Sequence, residues 1–418
     1  MNVLLTHLWP ETNSGDYAIV RGTIDAIENS TKQPVSFIGL TTFASHSANI
    51  SNHFPETLAK GVELRPALVP GYKNDQCGQF STAEKIWLSL SYLAITVLLA
   101  IGWPSVAKRL VSRSQRETLS LIAGADLVVI KGGAFIMGFP GIVGTLYLLR
   151  NCLTVMWCAK LNNNCFIAPH SFGPLANGFQ CWLLRFMLKD VRIYVREHIS
   201  LELLNRVGLK AKYLPDMAFY FDSEIVKKCR PPQIAATVRP CPTFLSEKQE
   251  KQYYNDFAET ISVLIDEGYK IVFVPQVTGP DQREDDRVAI QAIKALIVKK
   301  PSYSSAVSIA TPSTLQEKFR IYGESVCCVG TRMHSVIFSC LVATKVVALA
   351  YLGPKHLGIM ADLNLGDFVL DITNFSPEQL LAAVHNAIEH QDVQRTSQEV
   401  VRMRAMIKSE FENILAMI

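Results

Sequence analysis

The chain has 418 residues, which at roughly 150 residues per domain suggests two domains, or three. Hydrophobic residues make up 49% and charged residues 19%, a composition that supplies sizeable cores and excludes a disordered chain. The formal charge of +4 is small for this length and disfavours a protein that coats nucleic acid. We find no internal repeat of the kind that builds fibres or solenoids.

The cysteine pattern indicates free thiols. None of the ten cysteines forms a C-x-x-C pair, and most have apolar neighbours, as in the SVCCVG segment that contains Cys327 and Cys328. We therefore expect buried, reduced cysteines in a cytoplasmic protein. Zinc would need close ligand pairs, which the spacing does not offer, so neither a metal nor another cofactor is predicted. The opening MNVLLTHL is typical of a strand and lacks the features of a secretory signal.

The first half predicts alternating strands and helices. Strands are expected at Val3–Leu8, Val35–Leu40, Ala125–Lys131, Asn164–Ala168 and Val191–Val195, and helices at 16–29, 142–161 and 179–189. Asp16 is a candidate cap for the first helix. Because the strands are Val- and Ile-rich without polar alternation, they indicate a parallel sheet that is covered on both faces.

The segment 86–107 contains no charged residue and is long enough to cross a hydrocarbon core of roughly 30 Å. A membrane span would separate the strands at 3–8 and 127–131, which we expect in one sheet. Pro104 also interrupts the segment, and Lys108, Arg109, Arg113 and Arg116 follow it. We therefore expect a buried core helix or a helix that contacts a membrane surface, with a basic flank.

The pattern restarts after a polar stretch that ends in Pro231-Pro232. Strands are expected at 234–238, 270–275, 325–329, 345–351 and 368–372, and helices at 246–267, 285–299, 313–322, 333–341 and in the tail 391–418. Two doubly wound α/β halves of this size fit two Rossmann-like domains that face each other across a cleft, the GT-B-like arrangement. The expected divisions are 1–225, with an apolar insertion at about 80–118, then 226–390 and the helix 391–418.

Ligands of such sheets bind where strands end, so five strand-end loops and one further strand end, at Lys355, carry the candidates. Two are glycine-containing: the loop of Asn13 to Asp16, and Gly132-Gly133 after a buried strand. Each also fits a plain turn. Arg196 and Glu197 follow another strand and either reach the ligand or form an ion pair that caps the next helix.

The second half contributes further cations. Arg239 ends a buried strand, where a guanidinium can bind a carboxylate or phosphate with two hydrogen bonds. Arg332 and His334 lie in the first turn of an apolar helix, which attracts anions. Lys355 follows the next strand. For the acidic loop 275–287 we expect a solvated surface, with an acceptor pocket or a metal site as alternatives.

These residues together resemble the polysaccharide pyruvyl transferase family, in its exopolysaccharide branch. The resemblance covers nearly the whole chain and rests on nine pieces in order. They are NSGDYAIVRG at 13–22, the strand and glycines at 127–133, APHSFGP at 168–174, REHIS at 196–200, PDMAFYFD at 215–222, the strand with Arg239, TGPDQREDDR at 278–287, GTRMHS at 330–335 and AYLGPKHLGIM at 350–360.

The resemblance implies transfer of a pyruvyl group from phosphoenolpyruvate to two hydroxyls of a hexose, with formation of a cyclic ketal and release of phosphate. Arg239, Arg332 and Lys355 would hold the doubly anionic donor, and His334 would transfer the proton. Asp16 and Glu197 would orient or deprotonate the acceptor hydroxyls. The remaining expected substrate-binding residues are Asn13, Gly132, Gly133, His170 and Arg196.

The expected partners are phosphoenolpyruvate and the hexose of an oligosaccharide, with a polyprenyl-linked acceptor as one option, and no nucleic acid. The segment 86–107 would place the protein at the inner face of the cytoplasmic membrane if it contacts lipid. Two other functions remain open on sequence grounds. One is a GT-B glycosyltransferase that uses a nucleotide sugar, with the acids at 284–286 as ligands. The other is a non-catalytic scaffold of a polysaccharide assembly complex.

Overall fold

The computed structural model describes residues 1–109, 111, 113–221, 228, 230–241, 245–297, 303–351 and 353–418. The chain forms two compact units. Unit 1 contains residues 1–11, 19–217 and 406–418, and unit 2 contains 12–18 and 218–405. The domain boundary expected at 225/226, together with Asp222, Cys229, Leu352 and the end of the helix predicted at 285–299, lies outside the described residues.

Unit 1 is built on a seven-stranded sheet in which every pair of neighbours is parallel. The strands are β1 (Asn2–Leu8), β2 (Ser36–Thr41), β3 (Glu63–Arg65), β4 (Leu127–Ile130), β5 (Cys165–His170), β6 (Arg192–Val195) and β7 (Lys212–Tyr213), in the order β3-β2-β1-β4-β5-β6-β7. The order reverses between β1 and β4, which is the point where such sheets bind ligands.

The helices between these strands are α1 (Ser14–Asn29), α2 (Pro55–Ala59), α3 (Thr82–Ala100), α4 (Pro104–Arg109), α5 (Arg113–Gly124), α6 (Gly141–Leu161), α7 (Gly178–Leu188) and α8 (His198–Val207). The first turn of α1 belongs to unit 2, and the rest of it to unit 1. The core of unit 1 surrounds the fully buried strand β4 and the inner side of α6, where Trp157 is completely buried.

Unit 2 has a six-stranded parallel sheet with the order β10-β9-β8-β11-β12-β13. Its strands are β8 (Gln233–Thr237), β9 (Lys270–Phe273), β10 (Val307–Ile309), β11 (Cys327–Gly330), β12 (Lys345–Ala350) and β13 (Val369–Asp371). Its helices are α9 (Glu247–Asp266), α10 (Asp286–Ile297), α11 (Leu315–Glu324), α12 (Met333–Leu341), α13 (Lys355–Asp362), α14 (Pro377–His390) and α15 (Val393–Leu415), the last of which ends in unit 1. The order here reverses between β8 and β11.

The alternation of strands and helices is confirmed, because apolar runs such as LVVI in β4 and KVVALA in β12 are buried on both faces as parallel strands require. The short strands β3, β7 and β10 were missed. They have two or three residues each and lie at the edges of their sheets. Because they are only partly buried there, their sequences show little hydrophobic pattern. The nine cysteines within the described residues are free thiols, and seven of them are buried.

The segment 86–107 is neither a core helix nor a span. It forms α3 and α4, and the apolar window of α3 is only 17% buried, so the core alternative is wrong. A single crossing by α3 is incompatible with the sheet, because β1 and β4, which lie on either side of α3 in the chain, are paired neighbours. Within the described residues, α3 and α6 are both long and apolar enough to cross a membrane, but 56% of α6 is buried.

Candidate functional site

Two arginines from neighbouring strand ends of unit 2 meet on one carboxylate. Arg239 follows β8 and donates from Nη2 to both carboxylate oxygens of Glu284 at 2.9 and 2.7 Å. Arg332 follows β11, and its Nη1 donates to Oε2 of Glu284 at 3.1 Å. Burial alone would raise the pKa of Glu284, but the two guanidinium groups lower it below its ordinary value. The structure thus brings together Arg239 and Arg332, two of the cations expected from the sequence, at the point where the strand order reverses.

Arg332 is held in place by a second acid. Its Nε and Nη2 donate to Oδ1 of Asp286 at 3.0 and 2.6 Å, and the Asp286 side chain is fully buried. The other oxygen of Asp286 accepts the backbone N–H groups of Gln276 and Val277 at 2.8 and 3.0 Å. Although burial opposes its charge, Asp286 raises the pKa of Arg332. The expectation of a solvated acidic loop is therefore wrong for Asp286, because this carboxylate is the counter-ion of a buried arginine.

Tyr351 joins the third predicted cation to the pair. The guanidinium of Arg239 lies 4.4 Å from the Tyr351 ring centroid, and the ammonium of Lys355 lies 4.3 Å from the same centroid. Lys355 also donates to the Tyr351 hydroxyl at 2.9 Å. Burial alone would raise the pKa of Tyr351, but Arg239, Lys355 and Arg332 lower it to about 7. This phenol is therefore able to exchange a proton near neutral pH, which ordinary tyrosines do not do.

The loop that carries Arg332 is fastened to β8. The backbone N–H of Thr331 donates to the Thr237 hydroxyl at 3.1 Å, and the Thr331 hydroxyl donates to the Thr237 carbonyl at 2.9 Å. Gly330 allows this tight turn, since a Cβ there would lie 2.7 Å from the Ser335 hydroxyl. These contacts fix the position of the Arg332 backbone before any ligand binds.

His334 lies against the first turn of α1, which belongs to the same unit. A Cβ on Gly15 would be 2.1 Å from Nδ1 of the imidazole, so only glycine permits this approach. The segment around Gly15 is held to unit 2 by Ser14, whose backbone N–H donates to the Gln276 carbonyl at 2.9 Å and whose hydroxyl accepts from Lys318. The glycine of the first predicted loop is thus explained by an imidazole neighbour.

Asn13, and not Asp16, caps α1. The Asn13 side-chain oxygen accepts the backbone N–H of Asp16 at 3.2 Å, and the Asn13 amide donates to the Asp16 carboxylate at 2.7 Å. The pattern misled because either residue type caps helices well, and the helix starts two residues earlier than expected. These two hydrogen bonds with Asn13 orient the Asp16 carboxylate in the turn that faces His334.

The carboxyl end of the sheet in unit 1 gathers basic groups of its own. His7 is the penultimate residue of β1 and has a left-handed φ of 61°, and its ring stacks on Phe135 with the ring centroids 4.6 Å apart. Burial, followed by the charges of Lys131 and Arg150, lowers the pKa of His7 to about 3. A non-glycine residue in this conformation is uncommon and marks functional sites often enough to make His7 a candidate that the sequence reasoning missed.

His170 and the two glycines support this end of the sheet from inside. His170 is fully buried, and its Nε2 accepts the backbone N–H of Ile136 at 3.1 Å. Gly132 packs against the Pro169 carbonyl, 2.5 Å from where a Cβ would lie, and Gly133 has a φ of 141°. Full burial is at odds with direct substrate contact by His170, and backbone packing alone accounts for both glycines.

Arg196 and Glu197 are also buried. Arg196 pairs with Asp216 at 2.5 Å and donates from Nε to the Ser171 hydroxyl at 2.7 Å. Glu197 accepts a hydrogen bond from Ser200, whose hydroxyl in turn accepts the Phe172 N–H at 2.7 Å. The acidic partner of Arg196 is thus Asp216, 20 residues away. The alternative in which Arg196 pairs with the adjacent Glu197 to cap the next helix does not account for the orientation of Arg196. Both side chains are therefore used inside the protein, Arg196 on the Ser171 hydroxyl and Glu197 on the Ser200 hydroxyl, and do not project from the surface.

Three residues of the unit 2 cluster were not assigned to the pyruvyl transferase site from sequence: Tyr351, Glu284 and Asp286. Tyr351 was visible as the last residue of a predicted strand, two residues from a glycine. The signal that identifies it is its position between Arg239 and Lys355, which depends on the ends of β8 and β12, two strands that are far apart in the chain. The acids carried a charge pattern, but nothing in that pattern separates a buried counter-ion from a solvated one.

Comparison with known proteins identifies the family. The family model for polysaccharide pyruvyl transferase matches residues 13–353, a range that includes Arg239, Glu284, Asp286, Arg332 and Tyr351 of the unit 2 cluster but ends before Lys355. The chain belongs to the polysaccharide pyruvyl transferase family. Among curated proteins, it is 24% identical to the amylovoran biosynthesis protein AmsJ of Erwinia amylovora, over 96% of this chain and 95% of that protein.

Solved structures agree on a GT-B-like fold. The chain is similar to UDP-GlcNAc 2-epimerase from Neisseria meningitidis, solved with UDP-GlcNAc, at a TM-score of 0.54, 9% identity and full coverage of both chains. It is also similar to a UDP-N-acetylglucosamine 2-epimerase homologue from Listeria monocytogenes at a TM-score of 0.53 and 11% identity, over 99% of this chain and 97% of that one. At these identities the likeness concerns the fold alone.

Proposed function

We propose that this pyruvyl transferase uses phosphoenolpyruvate as donor and forms a cyclic ketal on two hydroxyls of a hexose in an exopolysaccharide repeat. In this reaction the enol methylene gains a proton and becomes a methyl group. Two sugar oxygens bond to C2 of the donor, and the bond from C2 to the phosphate oxygen breaks. The two hydroxyl protons balance the equation, since one ends on the methyl group and the other on phosphate.

The observation that carries the proposal is the meeting of Arg239 and Arg332 on Glu284, with Lys355 adjoining through Tyr351. Phosphate and carboxylate are the anions that paired guanidinium groups bind best. Asp286 is fully buried in its ion pair with Arg332, whereas the Glu284 side chain is 42% exposed. We infer that a donor anion replaces the Glu284 carboxylate between the two arginines.

Proton transfer needs a group that changes protonation near neutral pH. His334 is our first candidate because it follows the anion-binding Arg332 by two residues, at the start of α12. Histidine is also suited to proton transfer. Tyr351 is the second, since its pKa of about 7 makes both of its forms available. Asp16 lies in the turn that packs on His334 and is the candidate for orienting an acceptor hydroxyl.

Donor identity is tested by incubating the protein with candidate repeat-unit oligosaccharides and either phosphoenolpyruvate or a UDP-sugar. We expect inorganic phosphate to appear only with phosphoenolpyruvate and an acceptor together. Release of UDP from the nucleotide sugar, with no phosphate from phosphoenolpyruvate, would identify a glycosyltransferase and overturn the proposal. Absence of turnover, with retained binding to glycosyltransferases, would identify a scaffold.

Residue roles are tested by separating binding from chemistry. His334→Ala should lower phosphate release by about 10²–10⁴-fold, the usual contribution of a positioned acid–base group, while donor affinity stays near wild type. Lys355→Met should instead weaken donor binding. If the His334 variant keeps turnover within tenfold of wild type, Tyr351 becomes the leading proton-transfer candidate, and Tyr351→Phe decides.

A further inference from the structure

Unit 1 exposes an apolar surface on three helices, which we call the aromatic face. On α3 and the turn after it, the exposed side chains are Ile86, Trp87, Leu90, Leu93, Val97, Ile101 and Trp103. On α7, Phe179, Trp182 and Phe186 are exposed and stack on one another, with ring centroids 5.7 and 5.6 Å apart. The start of α6 adds Ile142, Val143 and Leu146. Folded soluble proteins seldom expose this many large apolar side chains together.

The three helices are neighbours. Trp157 on α6 donates from Nε1 to the Thr96 hydroxyl on α3 at 3.0 Å. Gln180 on α7 donates to Thr145 on α6, also at 3.0 Å. A cavity of about 160 Å³ lies where the three helices end, and its lining includes Leu99, Met156 and Phe186. The inner sides of the helices therefore pack against one another, and their apolar outer sides are exposed.

The charges around the aromatic face select the kind of partner. Between residues 82 and 117 the sequence has five basic residues and two acids, and both acids are paired, Glu84 with Lys73 and Glu117 with Arg113. The side chains of Lys85, Arg109 and Arg116 are exposed. Helices α6 and α7 carry three basic residues and no acid. These charges favour an anionic lipid surface over an acidic protein partner. Acidic side chains of a protein would lose their water against the apolar patch, and this desolvation is costly.

We propose that the aromatic face docks on the surface of an anionic lipid bilayer, with α3 lying in the plane of the interface. Tryptophan is enriched at the boundary between headgroups and hydrocarbon, and this face exposes three, Trp87, Trp103 and Trp182. Basic residues at the ends of α3 and α4 then meet lipid phosphates. The pairing of β1 with β4 keeps both ends of α3 on one side of the membrane. This inference goes beyond the ketal chemistry and does not depend on it.

The test is co-sedimentation of the full-length protein with vesicles of phosphatidylcholine, with and without phosphatidylglycerol. Wild-type protein should bind the mixed vesicles. Trp87→Glu combined with Trp182→Glu should lower the bound fraction about tenfold or more, because both rings leave the hydrocarbon boundary. The matched control is Val401→Glu, an exposed apolar residue of α15 that belongs to unit 2, and it should bind as wild type does.

The electrostatic part is tested separately. Arg113→Glu with Arg116→Glu should weaken binding to mixed vesicles several-fold and leave the weaker binding to pure phosphatidylcholine unchanged. Thermal unfolding of each variant establishes that the fold is intact. Equal vesicle binding by wild type and the double tryptophan variant overturns the proposal. A dimer in solution that the tryptophan variant dissociates, without vesicle binding, assigns the face to a second copy and also overturns it.

Discussion

Gly15 and His334 form the closest approach in the candidate site, and a single methyl group tests it. In Gly15→Ala the new Cβ would lie 2.1, 2.5 and 2.9 Å from Nδ1, Cγ and Cε1 of the His334 ring. Distances under 3.0 Å between such atoms are not tolerated, so the imidazole must rotate or the start of α1 must shift. Both groups belong to unit 2, so the strain should lower the free energy of unfolding of that unit.

The magnitude follows from the geometry. Forcing one carbon into a packed contact costs about 1–3 kcal/mol of folding free energy, and displacing a reacting group by about 1 Å lowers turnover about 10²-fold. In a His334→Ala background the ring is absent, so Gly15→Ala should be nearly neutral there. The two substitutions should then show a coupling energy of about 1–3 kcal/mol in urea unfolding.

Gly178→Ala is the matched control, because Gly178 also lies in the first turn of a helix and a Cβ there meets nothing within 4 Å. It should change stability by less than about 1 kcal/mol. Equal destabilisation by Gly15→Ala in the wild-type and His334→Ala backgrounds would refute the reasoning, since the strain would then not come from the imidazole.

Four further predictions concern the cations, their partners and the metal requirement. As pH rises through about 7, wild-type protein should gain tyrosinate absorbance that Tyr351→Phe lacks and Tyr254→Phe retains, because burial raises the Tyr254 pKa. Since the Tyr351 pKa is lowered in the folded state, its stabilising contribution grows from pH 7 to 10 and is lost as pH falls through 7. Glu284→Gln should lower KM for phosphoenolpyruvate and cost about 1–3 kcal/mol of stability, because the buried Arg239 loses its carboxylate partner; a raised KM would contradict donor exchange. Asp286→Asn should destabilise by about 3–5 kcal/mol in urea unfolding, because Arg332 loses its buried counter-ion. Turnover should be unchanged in excess chelator, and its loss would contradict a metal-free reaction.

The fold and part of the candidate site were accessible from the sequence. Strands such as LVVI in β4 are uniformly apolar because both faces are covered, and this pattern does not depend on distant residues. The rule that ligands bind at strand ends selected Arg239, Arg332 and Lys355, and the structure brings all three into one connected cluster.

The remaining features depend on contacts that no local pattern encodes. Asp286 and Arg332 are 46 residues apart, and only the folded sheet shows that this acid is buried. The same holds for Arg196, whose partner is Asp216 and not the adjacent glutamate. Hydropathy identified 86–107 as unusual, but its exposure follows from how little of α3 the α6 helix covers.

The central claim is that paired arginines in this transferase hold phosphoenolpyruvate for ketal formation, and product mass spectrometry tests it most directly. Repeat-unit oligosaccharide incubated with protein and phosphoenolpyruvate should gain the mass of one pyruvyl ketal for each phosphate released, and Arg239→Gln should abolish both at the same donor concentration. A product that gains a sugar residue from a UDP-sugar, or a ketal formed equally well by the Arg239 variant, would contradict the account.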